Sequence, residues 1–172
     1  MNHDLYMLKG EITSRTMAIL PRKTKGGKIG SSIMEDSEKY FVQDPPSKVI
    51  DLACKFFGAS LYGRQIGTKE VSNMTHKLPI SIDPTNGIYF FPTLSPSNSN
   101  CAWISHSHIK DVVEVEKQLT QIFFKNGLSA MVKVSYGSLE NQINRTAQYR
   151  FILDERINRL RLGLGNSDDQ SE

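Results

Sequence analysis

The sequence predicts a single α+β domain: a mostly antiparallel sheet with β-hairpins, a short helix near residues 47–57 and a long C-terminal helix. Three observations carry this. Short runs of β-branched and aromatic residues recur along the chain, separated by glycine, proline or Asn-Gly. Two stretches, 48–57 and 139–162, space their apolar residues as helices do. The 172 residues, 38% hydrophobic and 23% charged, suffice for one well-buried core and show neither a disordered composition nor internal repeats.

Arg15 to Leu20 reads as a strand ended by Pro21, and Lys28 to Met34 as its hairpin partner. Lys25-Gly26-Gly27-Lys28 joins them, with glycine accepting the positive φ of a tight turn. Arg22, Lys23, Lys25 and Lys28 make this tip basic, either as a solvated turn or as an arm for a DNA groove. Glu38 to Val42 gives a third strand, stopped by Asp44-Pro45-Pro46, after which Ser47 is the expected N-cap of the first helix. In that helix Val49, Ile50, Ala53, Cys54 and Phe57 form the buried face and Lys48, Asp51 and Lys55 the wet one, with Gly58 closing it.

Gly58, Gly63 and Gly67 make the next segment a loop or a broken helix that brings backbone close to a ligand. Arg64 within it has no acidic partner at helical spacing and is expected to point outward. Lys69 to Asn73 and Leu78 to Ile82 are strand candidates on either side of Thr75-His76-Lys77. Ile88 to Phe91 is a buried central strand between the Asn86-Gly87 turn and Pro92, and 95–100 is a polar loop.

Ala102 to Ser105 forms a strand leading to His106 and His108, and Ile109-Lys110-Asp111 a turn. Val112 to Glu116 and Leu119 to Phe124 continue as strands. Asn126-Gly127 predicts a type I′ hairpin with Leu119 opposite Val134, Ile122 opposite Met131 and Phe123 opposite Ala130. Gly137-Ser138 caps the long helix, whose apolar side holds Leu139, Ile143, Ala147, Leu153, Ile157 and Leu160, broad enough for a second subunit as well as the sheet. Arg145, Ile152, Arg156 and Arg159 form a separate basic stripe. The domain is expected to span 1–163, with 164–172 a disordered acidic tail.

A formal charge of +3 permits DNA binding without arguing for it. No run approaches the roughly 18 apolar residues of a membrane span. Met1-Asn2-His3-Asp4 does not open a signal peptide, so a cytoplasmic protein with free thiols and no membrane partner is expected. Cys54, Cys101, His106 and His108 are the residue types of a tetrahedral zinc shell, and alternate residues 106 and 108 share one face of a strand. Their spacing nevertheless matches no zinc finger. A cysteine near His76 or His106 is material for a nucleophile and its base, without a local signature around either thiol. No catalytic residue, metal or cofactor is assigned.

Residues 50–108 hold both cysteines, the only tryptophan and three of the four histidines. They contain Ile50-Asp51-Leu52-Ala53-Cys54-Lys55-Phe56-Phe57-Gly58-Ala59-Ser60-Leu61-Tyr62-Gly63-Arg64, Thr75-His76-Lys77-Leu78-Pro79-Ile80, Ile88-Tyr89-Phe90-Phe91-Pro92-Thr93 and Cys101-Ala102-Trp103-Ile104-Ser105-His106-Ser107-His108. In order and type these four blocks resemble the ComK family of competence transcription factors of Bacillus-like bacteria. The resemblance implies a sequence-specific activator of DNA-uptake genes that binds AT-rich promoter boxes of double-stranded DNA. Binding would run chiefly through the minor groove, by a dimer or dimer of dimers, and no metal comes with it. An adaptor and Clp protease are implied partners of the C-terminal part, where this chain has an acidic tail instead of the family's hydrophobic and basic segment.

The expected DNA donors are Lys55, Arg64, Lys69, His76, Lys77, His106 and His108 in the middle third and Arg145 on the long helix. The segment after the first helix is too glycine-rich for a convincing helix-turn-helix. A protein-binding regulatory module without DNA contact is the other reading, and a zinc or Cys/His enzyme the third.

Overall fold

The computed structural model describes residues 11–165. Its strands are β1 (Thr16–Lys23), β2 (Ile29–Glu35), β3 (Lys39–Val42), β4 (Ile80–Asp83), β5 (Ile88–Pro92), β6 (Trp103–Ser105), β7 (Ile109–Glu116), β8 (Leu119–Phe124) and β9 (Ser129–Val132). Helices α1 (Pro46–Phe56) and α2 (Leu61–Ser72) precede β4, a 3-10 turn covers His106–His108, and helix α3 (Tyr136–Gly165) follows β9. Six strands form one sheet in the order β3-β2-β1-β6-β5-β4, and β7-β8-β9 form a second. The pairings are antiparallel, and the α+β class is the expected one.

Strand alternation divides the core into two layers. Ile19, Ile33, Phe90 and Trp103 pack with Val49, Ile50 and Cys54 of α1. Their chain neighbours Ala18, Met34, Phe91 and Ile104 pack with Ile122 and Phe124 of β8, Val132 of β9 and Leu139 of α3. The large sheet is covered on both faces, which explains why β5 reads as an unbroken apolar run.

Pro21 does not end β1, which continues to Lys23. Thr24 N–H donates to the Lys28 carbonyl (2.8 Å), so alternation makes Arg22↔Gly30 a bonded pair and Pro21↔Ser31 a non-bonded one. The position without an N–H faces the side where β6 pairs only with Ala18 and Ile19, and no ladder bond is lost.

Thr24–Lys28 and Phe124–Leu128 use the same three-residue loop, closed by Gly27 at φ 78° and Gly127 at φ 89°. Asn126 has no positive φ, so its turn is not the type I′ expected. The extra loop residue shifts the register by one: Ile122 pairs with Ala130 and Phe123 with Ser129. That shift sends Ile122, Phe124, Ala130 and Val132 to the core together.

Three boundaries also differ from expectation. Ser47 does not cap α1; Pro46 opens the helix with a fixed φ and no N–H to satisfy, and no side chain caps it. The Ser47 hydroxyl instead accepts from Trp103 Nε1 (3.1 Å) and donates to the Pro96 carbonyl (2.8 Å). Ile109 to Asp111 begins β7 rather than forming a turn: Ile109 pairs with Phe124 and Asp111 with Phe123 of β8, and the turn lies before them at His106–His108. Helix α3 begins at Tyr136, with Ser135 Oγ rather than Gly137-Ser138 supplying the cap, accepting from Ser138 N–H (3.3 Å).

Residues 58–73 depart most. Leu61–Ser72 is helical, including the part expected to be a strand from Lys69 onward. Ser60 caps it by accepting from Gly63 N–H (3.0 Å), and Asn73 at φ 58° ends it. Two glycines weaken its intrinsic propensity, and tertiary bonds compensate: Leu61 N–H donates to Asp51 (3.0 Å) and the buried Thr68 hydroxyl to the Pro79 carbonyl (2.6 Å). Helices α1 and α2 therefore follow each other across a short turn bearing Gly58 at φ 78°, a helix-turn-helix order that a loop reading hides.

The inward side of α3 is Leu139, Gln142, Thr146 and Tyr149, while Ala147 is exposed. Further along, Phe151, Leu160 and Leu162 stand in solvent. The tail expected from 164 lies outside the described residues beyond Gly165.

Candidate nucleic-acid interface

The corner Thr75-His76-Lys77 joins α2 to β4, and α3 clamps it. Lys77 adopts φ 46°, a left-handed conformation uncommon outside glycine. Gln142 Nε2 donates to the carbonyls of Lys77 (3.0 Å) and Pro92 (2.8 Å). Arg145 donates to the carbonyls of His76 (2.6 Å) and Lys77 (3.4 Å) and to Gln142 Oε1. The Arg145 guanidinium is thereby occupied by backbone, and it positions the corner. The corner presents an exposed His76 and a half-buried Lys77, while Lys69 stands exposed in the last turn of α2.

Arg64 lies on the inner side of α2, contrary to the outward orientation expected. It shares a helical face with Thr68, which is tied to Pro79, and this turns the guanidinium toward β4. Its Nη2 donates to the Ile82 carbonyl (3.4 Å) and its Nε is enclosed without a partner. Lys55 is exposed and paired with Asp51 at 2.8 Å.

His106 and His108 do not share a strand face. A 3-10 turn advances about a third of a revolution per residue, so the two rings diverge. Arg150 Nη1 donates to His106 Nδ1 (3.0 Å) and to Ser107 Oγ (2.9 Å), with its guanidinium 4.6 Å from the Tyr89 ring centroid. Arginine can only donate, so Nδ1 carries no proton and His106 is neutral. Burial, and then the charge of Arg150, push its pKa down to about 4. His108 Nε2–H donates to the Ser14 carbonyl (2.7 Å).

Cys54 and Cys101 are buried free thiols in the α1 core layer, and burial pushes each up to about 11. Among the described residues no three or more His, Cys, Asp or Glu side chains are grouped to hold a metal ion. No helix among them is long and apolar enough to cross a membrane. A cleft of about 650 Å³ opens beside α1, lined by Ile12, Val49, Leu52 and Phe56. Glu11, Asp44 and Asp83 at its edge make it unsuited to phosphate, and none of the eight expected donors lines it.

Sequence reasoning missed Gln142 and Arg150. Gln142 sits three residues after Leu139 on the inward side of α3, and a polar residue in that stripe is the signal that would have found it.

The family model described as ComK protein matches residues 8–158. The chain belongs to the ComK family. The "Competence transcription factor" of Bacillus subtilis (strain 168) is 42% identical over 147 residues, covering 86% of this chain and 76% of that protein. No solved structure matches the chain. As a ComK-family member the protein is a transcriptional regulator, an activator acting in competence, and a transcription factor is not an enzyme.

Proposed function

We propose that this ComK-family protein activates DNA-uptake genes by binding AT-rich promoter boxes of double-stranded DNA. It does so chiefly through the minor groove, in the cytoplasm, as a dimer or dimer of dimers. The family match over 8–158, which encloses all four sequence blocks, is the observation that carries this reading. The geometry supports it at the α2 to β4 corner. Lys69 and His76 stand exposed there, and the backbone beneath His76 and Lys77 is fixed by Gln142 and Arg145, so little ordering cost remains on binding. Lys77 meets phosphate in this reading. The exposed side of α2 bears Tyr62, Gly63, Ile66 and Gly67, whose small residues let a nucleic-acid surface approach the helix closely.

A mobility-shift series tests the proposal, comparing AT-rich with GC-rich duplexes at several salt concentrations. Preference for the AT-rich duplex, falling in affinity as salt rises, is expected. Absence of binding to either duplex at low salt overturns it.

A further inference from the structure

The outer end of the β1–β2 hairpin runs past its neighbours in the sheet. Strand β6 flanks β1 only at Ala18 and Ile19, and β3 flanks β2 only from Ser31 to Met34. The pairs Arg22↔Gly30 and Lys23↔Ile29 and the loop beyond them therefore have no third strand on either side. From Pro21 to the tip this ribbon projects roughly 13 Å, about four residues at 3.3 Å each.

Its charge is of one sign. Arg22, Lys23, Lys25 and Lys28 are all exposed, and residues 22–30 contain no acid. Among the described residues the ion pairs engage Arg15, Lys48 and Lys55, none of them on the ribbon. Of the eight donors discussed above, Arg145, Arg64, Lys55, His106 and His108 contrast with this, since they already have protein partners.

The base of the ribbon is closely packed. A Cβ on Gly30 would stand 2.5 Å from the Val42 carbonyl oxygen, so β2 lies tightly against the end of β3. Phe41 of β3, 60% exposed, carries the Arg22 guanidinium 3.7 Å from its ring centroid, which aims that charge without neutralising it. Thr24 Oγ1 donates to the Lys28 carbonyl (3.1 Å) and braces the loop.

We infer that this ribbon is a phosphate clamp: Arg22, Lys23, Lys25 and Lys28 grip the sugar-phosphate backbone of the DNA duplex. It supplies affinity that is independent of sequence. Lysines on flexible stems act as point charges on phosphate, and contacts to phosphate carry no base sequence. The inference rests on the DNA-binding reading proposed above.

The test compares the wild-type chain with a variant carrying Arg22→Gln, Lys23→Gln, Lys25→Gln and Lys28→Gln, in salt titrations on AT-rich and GC-rich duplexes. A loss of about tenfold or more on both duplexes alike is expected. The slope of log affinity against log salt should fall by about 3.6, roughly 0.9 for each lost contact. A folded variant with unchanged affinity and slope overturns the clamp and leaves DNA binding standing. Wild type that binds neither duplex overturns the DNA reading, and the clamp with it. Should the fourfold variant fail to fold, the loop substitutions Lys25→Glu and Lys28→Glu lie beyond the last ladder pair and decide by the same two readouts.

Discussion

Gln142 holds Lys77 from 65 positions away. One side chain, 2% exposed, donates a hydrogen bond to the carbonyl of a residue in left-handed conformation and another to the carbonyl of Pro92, tying the α2 to β4 corner to the end of β5 through α3.

Gln142→Leu leaves those two carbonyls without this donor and removes one of the three acceptors of Arg145. It should cost about 2 kcal/mol or more in denaturant unfolding, because buried unpaired polar groups keep their desolvation penalty. A midpoint equal to that of wild type would show that the corner does not depend on this side chain.

Ser47→Ala should destabilise the protein by about 1–3 kcal/mol, since it strands the buried Trp103 N–H and frees the Pro96 carbonyl. Trp103 is the only tryptophan, so its emission reports the change directly. An unaltered spectrum and midpoint would contradict the link between α1 and β6.

His106 should lower stability as the solution becomes acidic. Its ordinary pKa of about 6.5 is its value in the unfolded chain, and burial beside Arg150 brings it to about 4 in the fold. Between those values the unfolded chain binds the proton and the folded one does not. The contribution is complete above about 6.5 and is lost as pH falls toward 4. Arg150 of α3 and Lys125 of the β8–β9 turn face the ring, and both oppose its protonation. Plots of unfolding free energy for wild type and His106→Gln should converge or cross as pH falls from 7 to 4. Parallel plots would remove His106 as the cause.

Leu160 and Leu162 are 70% and 71% exposed on the far part of α3, where they suit the self-association proposed. Leu160→Glu with Leu162→Glu should keep the thermal midpoint and shift sedimentation toward monomer. Dimers that persist in the folded variant would move the contact elsewhere. Ile143 is a poor probe of that contact, since it packs against the core layer under the small sheet.

Apart from Lys69 to Asn73, which is helical as far as Ser72, the sequence carried the strands well, because alternation and turn residues are local. It also carried α1 and its apolar face from Val49 to Cys54, but not Phe57, which is expected on that face and stands 39% exposed past the helix end. Helix α2 was hidden because its stability comes from Thr68 on Pro79 and Leu61 on Asp51, bonds between distant segments that glycine content argues against. The Asn126-Gly127 register was misplaced by one residue, since the same dipeptide serves two loop lengths. At the candidate interface, exposure of Lys69 and His76 agrees with their polarity. The occupation of Arg145 by carbonyls 68 and 69 positions away leaves no trace in local spacing.

Pro21 has an effect on the company the protein keeps. A bare two-stranded ribbon ordinarily offers its outer edge to a strand from another molecule, the first step toward fibrous aggregates. On the open side of β1 the proline presents no donor where such a strand would dock, and Arg22 and Lys23 beside it repel an identical tip. Many copies can therefore stand close together without knitting into a common sheet.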